Sequence, residues 1–466
     1  MGNNICLIFL FIFNIVDTYL VFNFRTNINL AEVTDENYMT KKFNQQIYTD
    51  IKVGTPSQTI PMTIKIWQYP TFVSSTVMTE DITVKFDFIN SRTFKKKDDM
   101  LKIGMAGYDF NKGYYSQDIF EIDSSKKENF NFMLATSAGI GVHNISGGIG
   151  LSKVNPSQDD AFNPQRTRFI QQLLDNNLID KKIFGFLYDT EYEGRLIFGA
   201  YLYEVDENYK ELDINEFDMD TDVHHDYFDR WLIKFDVNCI TGEEKSIIYE
   251  EPTFGVLVIE YGLIVGSTEF YEKFADKYFE KKNCQKTEIY SEQNLYIYYC
   301  TDESQFQDFP DIIFKYPGKY NFKFTKDELF IKKGDKYYFQ IGFKIFAPDY
   351  SENFWYIGQP FFRKYSIFLK EEDKGFKMSY YLTQKFDKEK NEEEKSSSKQ
   401  KIAIVILSLV VALLVTAIVV YFVFFYEKKK RKIRVTELED EQDYEYFSKE
   451  KNDNNNNDKL LVEDDE

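Results

Sequence analysis

The side chains with the most chemistry-like spacing are acidic. Asp218, Asp220 and Asp222 alternate along the chain, with His224, His225 and Asp226 just beyond. Carboxylates and imidazoles so spaced can ligate a divalent cation. A calcium loop, however, also places a glycine at its sixth position and lies between helices, and neither feature is present. A solvated acidic linker is the expected role, with no metal and no other cofactor assigned. Oxidative chemistry is open to the four cysteines, Cys6, Cys239, Cys284 and Cys300. Cys6 falls in a segment expected to be removed, so three remain, an odd number that leaves one free or paired between chains. Cys284 and Cys300 flank the strand-like Asn294-Leu-Tyr-Ile-Tyr-Tyr-Cys300 and are the candidate bridge, the alternative being two unpaired thiols. Closing so short a loop would restrict the unfolded chain by about 3 kcal/mol. Asn144-Ile-Ser146 is a glycosylation sequon beside a candidate core strand.

Short β-type runs dominate from about residue 45 to 384 and must position these groups. Thr59-Ile-Pro-Met-Thr-Ile64, Trp231-Leu-Ile-Lys-Phe235 and Tyr365-Ser-Ile-Phe-Leu369 are examples, bounded by Gly, Pro, Asn and Asp. Aromatic residues make up 18% of the chain, a strand-forming composition. Helical periodicity is confined to a few places, best over residues 167–175 and next over 269–279. An all-β class with a few short helices is predicted.

Both ends point to a membrane. The run Ile5-Cys-Leu-Ile-Phe-Leu-Phe-Ile-Phe13 has the length of a signal-peptide core, although no Lys or Arg precedes it. Cleavage is expected between Asp17 and Arg25, with residues 1–22 taken as the signal. Ile402 to Tyr426 is free of charge and exceeds the roughly 20 apolar residues that a spanning helix needs. Lys428-Lys-Lys-Arg-Lys-Ile-Arg434 follows at once, which sets the C-terminus in the cytosol and predicts type I topology. Residues 385–401 read as a solvated stalk and 427–466 as an acidic cytosolic tail. Within the tail, Tyr444-Glu-Tyr-Phe447 fits the Tyr-x-x-bulky pattern of sorting adaptors, and Asp458-Lys-Leu-Leu461 is close to an acidic dileucine signal. The formal charge of -19 excludes nucleic acid as the main partner.

The strand runs are punctuated in a characteristic order. Ile47-Tyr-Thr-Asp-Ile-Lys-Val-Gly54-Thr-Pro56-Ser-Gln58 resembles the first hairpin of pepsin-like aspartic proteases, and Ile145-Ser-Gly-Gly-Ile-Gly150-Leu151 resembles their DGILGL strand. Phe169-Ile-Gln-Gln-Leu-Leu174, Phe184-Gly-Phe-Leu187 and Gly194-Arg-Leu-Ile-Phe-Gly199 follow in family order. Arg230-Trp-Leu-Ile-Lys-Phe-Asp236, Pro310-Asp-Ile-Ile-Phe314 and Trp355-Tyr-Ile-Gly-Gln-Pro-Phe-Phe-Arg363 are similar to later landmarks of the family. The resemblance implies two β lobes, expected at 23–211 and 212–384, around a peptide cleft. Each lobe of such an enzyme supplies one Asp-Thr-Gly loop, because the reaction needs two carboxylates that share a proton. One activates water while the other protonates the substrate carbonyl.

Neither loop is acidic where the resemblance places its aspartate. The first reads Lys65-Ile66-Trp67-Gln68, and the second, aligned on its closing Leu-x-x-Gly, reads Val258-Ile259-Glu260. Only a two-residue slip would bring Glu260 into the second aspartate position. The flap tip, Tyr-Gly in the family, corresponds to Ala106-Gly107. Ile66 and Ile259 are predicted to pack across the lobe axis, burying about 2 kcal/mol of apolar side chain each. Lys65, if buried, needs Glu260 or solvent to satisfy it.

The expected function is a catalytically inactive pepsin-like receptor, a single-pass type I protein of the secretory or endosomal system or the cell surface. Its cleft would hold a peptide or protein segment by main-chain hydrogen bonds, and its tail would meet sorting adaptors. One alternative is an active membrane-anchored aspartic endopeptidase with a different acid pair. Another is a structural protein whose cleft is filled by Trp67 and Tyr261.

Overall fold

The computed structural model describes residues 18–27, 33–68, 70–80, 82, 84–102, 110–139, 145–153, 164–209, 215–219, 230–241, 244–247, 253–290, 294–316, 320–344, 354–373, 375–382 and 425–426. The chain divides into two units, residues 1–384 and 385–466. In the second unit only Phe425 and Tyr426 are described. The predicted span 402–426 otherwise lies outside the described residues, as does the rest of the tail with Tyr444 and Phe447. No helix among the described residues is long and apolar enough to cross a membrane.

Alternation of apolar and polar residues builds the first unit into β-sheet, with only a few short helices. In Leu20–Thr26, Leu20, Phe22 and Phe24 are buried while Val21, Asn23 and Arg25 face solvent, as a half-buried strand with a period of two requires. Among the described residues the strands form one 13-stranded and one 12-stranded sheet. Leu20–Thr26 lies antiparallel between Glu193–Phe198 and Ile47–Val53, and Ile47–Val53 turns back into Gln58–Lys65. The second sheet is centred on Leu232–Thr241, Thr253–Leu257 and Phe354–Ile357. One buried cluster runs through both sheets, from Ile60 and Phe120 to Trp355 and Phe361.

Aromatic contacts give the second sheet much of its interior. Trp355 is fully buried, with the rings of Phe270 and Phe314 edge-on at 4.6 and 5.1 Å, an arrangement worth more than its buried area alone. The helix Thr268–Tyr278 begins where the Ser267 hydroxyl accepts the Phe270 N–H at 3.2 Å. It lies where periodicity predicts it. The other predicted helix starts later than Thr167: a 3-10 turn covers Pro164–Thr167 and the α-helix is Phe169–Asp175. Cys284 and Cys300 are joined in a disulfide. Cys239 lies in the strand Leu232–Thr241.

Two sets of strand pairings bear on the lobes expected at 23–211 and 212–384. The first sheet starts at Leu20, which pairs with Phe198, so a cut at residue 22 would divide a strand whose Leu20 and Phe22 belong to the core. The hairpin of Tyr365–Glu372 and Gly375–Leu382, together with Asn215–Asp218, hydrogen-bonds into the first sheet beside Ile183–Tyr188. Sheet pairing therefore crosses the lobe division, because the buried Phe368 and Leu369 pair with Gly185 and Phe184 of Ile183–Tyr188.

Candidate functional site

Two loops with matching strand registers form the centre of the first unit. The strand Gln58–Lys65 buries Ile60, Met62 and Ile64 and runs parallel to Gly147–Gly150, with Ile64 opposite Ile149 and Lys65 opposite Gly150. Leu151 then donates its N–H to the Lys65 carbonyl at 2.8 Å, and Ser152 to that of Gln68 at 3.2 Å. Glycine at 148 is required by the close approach: a Cβ there would lie 2.3 Å from the Phe72 ring. Thr253–Leu257 repeats the pattern against Phe354–Ile357, with Leu257 opposite Ile357, and Val258 donates to the Ile357 carbonyl at 3.0 Å.

The sequence Ile149-Gly150-Leu151 thus corresponds to Ile357-Gly358-Gln359. On that register Ile64 matches Leu257, Lys65 matches Val258, Ile66 matches Ile259 and Trp67 matches Glu260. Both return contacts differ. Pro360 stands where Ser152 stands in the first half and has no N–H to donate, and Gln359 instead donates to the Tyr261 carbonyl at 2.7 Å.

The loops meet directly. Glu260 Oε1 accepts the backbone N–H of Ile66 at 3.0 Å, a buried contact between residues 194 apart in sequence. Ile66 and Ile259 are both 0% exposed and lie in one continuous apolar cluster. Lys65 is also buried, only 3% exposed. Trp67 is half-buried with the Arg230 guanidinium 4.8 Å from its ring centre, a cation–π contact. Tyr261 turns toward Phe43, whose ring lies 4.8 Å away, and Tyr356 at 5.9 Å.

Side chains outside the two loops hold this arrangement together. Gln359 Nε2 donates to the carbonyls of Gln45 at 2.7 Å and Ile259 at 3.0 Å. Trp231 Nε1 donates to the Leu151 carbonyl at 3.0 Å, tying a strand of the second sheet to the end of the first parallel pair. The helix Tyr38–Phe43 buttresses the second loop, with Gly262 donating to the Phe43 carbonyl at 3.1 Å. Its Lys42, 1% exposed, pairs with Glu191 at 2.5 Å, and Arg363 reaches the same carboxylate at 3.0 Å. Burial, reinforced by the Arg363 charge, brings Lys42 down to about 8 against the partial opposition of Glu191. Burial works against the Glu191 charge too, yet Lys42 and Arg363 together outweigh it and hold that carboxyl at about 2. The apolar spacing of Tyr38, Met39 and Phe43 around Lys42 was the available sequence signal for this helix.

Several predicted positions lie outside the described residues: Ala106 and Gly107 between the strands Lys95–Lys102 and Phe110–Glu121, the sequon residue Asn144, and Asp220 to Asp226 of the acidic run. Asp218 ends the strand Asn215–Asp218.

A model of the eukaryotic aspartyl protease family matches residues 46–378, which takes in both loops and the strands that set their register. The chain belongs to the eukaryotic aspartyl protease family. No curated protein matches it as a relative. In aspartyl proteases the chemistry comes from a carboxylate on each of two loops. Here the register-matched residues that open the loops are a buried lysine and a buried valine. The carboxylate that lies at their junction, Glu260, is already engaged by a backbone N–H of the opposite loop.

Proposed function

We propose that this chain is a catalytically inactive aspartyl protease homologue, anchored as a type I membrane protein, whose cleft captures a peptide or protein segment without cutting it. The observation that carries the reading is the shared register of Lys65 and Val258 on equivalent parallel strand pairs. A shared-proton dyad needs two carboxyl groups side by side, and neither an ammonium nor an isopropyl group can take that part. The contact of Glu260 with Ile66 supports a floor rebuilt for cohesion, in which a carboxylate–amide bond and two isoleucines tie the loops. Tyr261 lies in tilted ring contacts with Phe43 and Tyr356, which favours an open cleft over one plugged by that ring.

Topology and traffic rest on the sequence at the two ends: the signal, the apolar run 402–426 with its basic flank, and Tyr444-Glu-Tyr-Phe447. Incubating the purified full chain with a diverse peptide library at acidic pH, with and without pepstatin, tests the catalytic half. No pepstatin-sensitive cleavage is expected, and its appearance would return the chain to the active proteases. Capture on the immobilised lumenal face, followed by mass spectrometry, tests the binding half. Recovery of no ligand that competes for the cleft would favour a structural role.

A further inference from the structure

The turn joining Ile183–Tyr188 to Glu193–Phe198 is flanked by two cavities of about 460 and 550 Å³, and Asp189 lines both. None of the residues lining either cavity comes from the loops 65–68 or 258–261. Their volumes fall in the range that admits a large side chain or a small ligand. We propose that this turn carries a second binding surface, which takes an arginine-bearing extended segment of a partner protein.

The polar groups around the turn are unbalanced in one sense. Its cations are already occupied: Arg363 by Glu191 at 3.0 Å, Lys364 by both Glu328 oxygens at 2.6 Å, and Arg25 by Asp50 at 2.8 Å. What remains over are acceptors. The carboxylates of Asp327, in the smaller cavity, and Glu193, in the larger, have no ion pair or side-chain hydrogen bond among the described residues. Gln340 Oε1 in the smaller cavity is buried without a partner, while its amide nitrogen is spent on the Glu328 carbonyl at 2.5 Å. The hydroxyl of Tyr188, a residue only 8% exposed, is likewise buried and unpartnered. A buried polar group without a partner costs about 1–3 kcal/mol unless something satisfies it.

A guanidinium answers this set. It brings five N–H donors and no acceptor, and its plane stacks on aromatic faces. Aromatic rings line both cavities, Tyr48 and Phe24 the larger and Phe324 and Phe330 the smaller, and the Arg25 guanidinium already lies 4.8 Å from the centre of the Tyr48 ring. Residues 1–426, without the acidic tail, still carry a formal charge of -14, which attracts a basic segment over long range.

The test uses the full chain in detergent and a fluorescein-labelled Gly-Arg-Phe-Arg-Gly peptide followed by fluorescence anisotropy, with Gly-Glu-Phe-Glu-Gly as control. Saturable binding of the arginine peptide alone is expected, weakening with added salt. Asp327→Asn with Glu193→Gln, at two exposed positions whose carboxylates have no partner among the described residues, should weaken binding about tenfold with an unchanged thermal melt. Tyr188→Phe should also weaken it, whereas a purely structural hydroxyl would move only the melt. Equal binding of the two peptides, no binding of either, or an affinity untouched by the double variant would overturn the proposal.

Discussion

Glu260 is the residue on which the contact between the loops turns. Its carboxylate accepts the Ile66 N–H in a buried setting, so removing it strands a backbone donor and disturbs the neighbourhood of the buried Lys65. Glu260→Ala is expected to lower stability by about 3 kcal/mol, seen as a fall in the urea midpoint at unchanged slope. Glu260→Gln keeps an acceptor oxygen and should lose clearly less. Equal losses in the two variants would mean that the side chain acts by packing and not through its oxygen. The residue types at 65, 258 and 260 were readable from sequence, because landmarks around the first loop and the closing Leu-x-x-Gly of the second set their spacing. That Glu260 would reach the backbone of Ile66 was not readable, since the two lie 194 positions apart.

At the level of elements, the parallel strand pairs decide which residues stand at the loop openings. Gly148 lets its strand approach Phe72, and a methyl group there would sit 2.3 Å from the ring. Gly148→Ala should therefore destabilise by about 3 kcal/mol through overpacking and move the first loop with it. Measured by thermal melting, a neutral effect would show that the approach is looser than the geometry implies. The disulfide between Cys284 and Cys300 closes a separation of 16 residues. Replacing both cysteines by serine should cost about 3 kcal/mol, mostly by freeing the unfolded chain, and reductant should have no further effect on that variant. Strand identities were legible in the alternation of apolar residues. The helix Tyr38–Phe43 was not, because six residues offer too little periodicity to stand out.

Across the whole first unit, Glu191 joins Lys42 of the N-terminal helix to Arg363, far along the chain. Its carboxyl sits at about 2, below its ordinary 4.5. A carboxyl whose folded value is depressed stabilises fully above the unfolded value and loses that contribution as pH falls toward the folded one. The triad should thus hold at neutral and mildly acidic pH and weaken from about 4.5 down to about 2. Glu191→Gln should flatten the acid limb of the stability–pH curve and lower stability at neutral pH, where Lys42 is left buried without its counter-charge. Chemical denaturation across that window checks both. An unchanged acid limb would show that other carboxylates govern acid unfolding.

Sequence alone determined the β class, the family and the chemical types at the loop openings, since each depends on local order and spacing along the chain. It also carried the bridge between Cys284 and Cys300, whose partners are near neighbours. Only the folded chain decided that Tyr365–Leu382 joins the first sheet, that Leu20 already belongs to it, and which buried groups find partners. Such outcomes depend on strands and side chains brought together from distant positions, where loop length costs little entropy and packing chooses the mate.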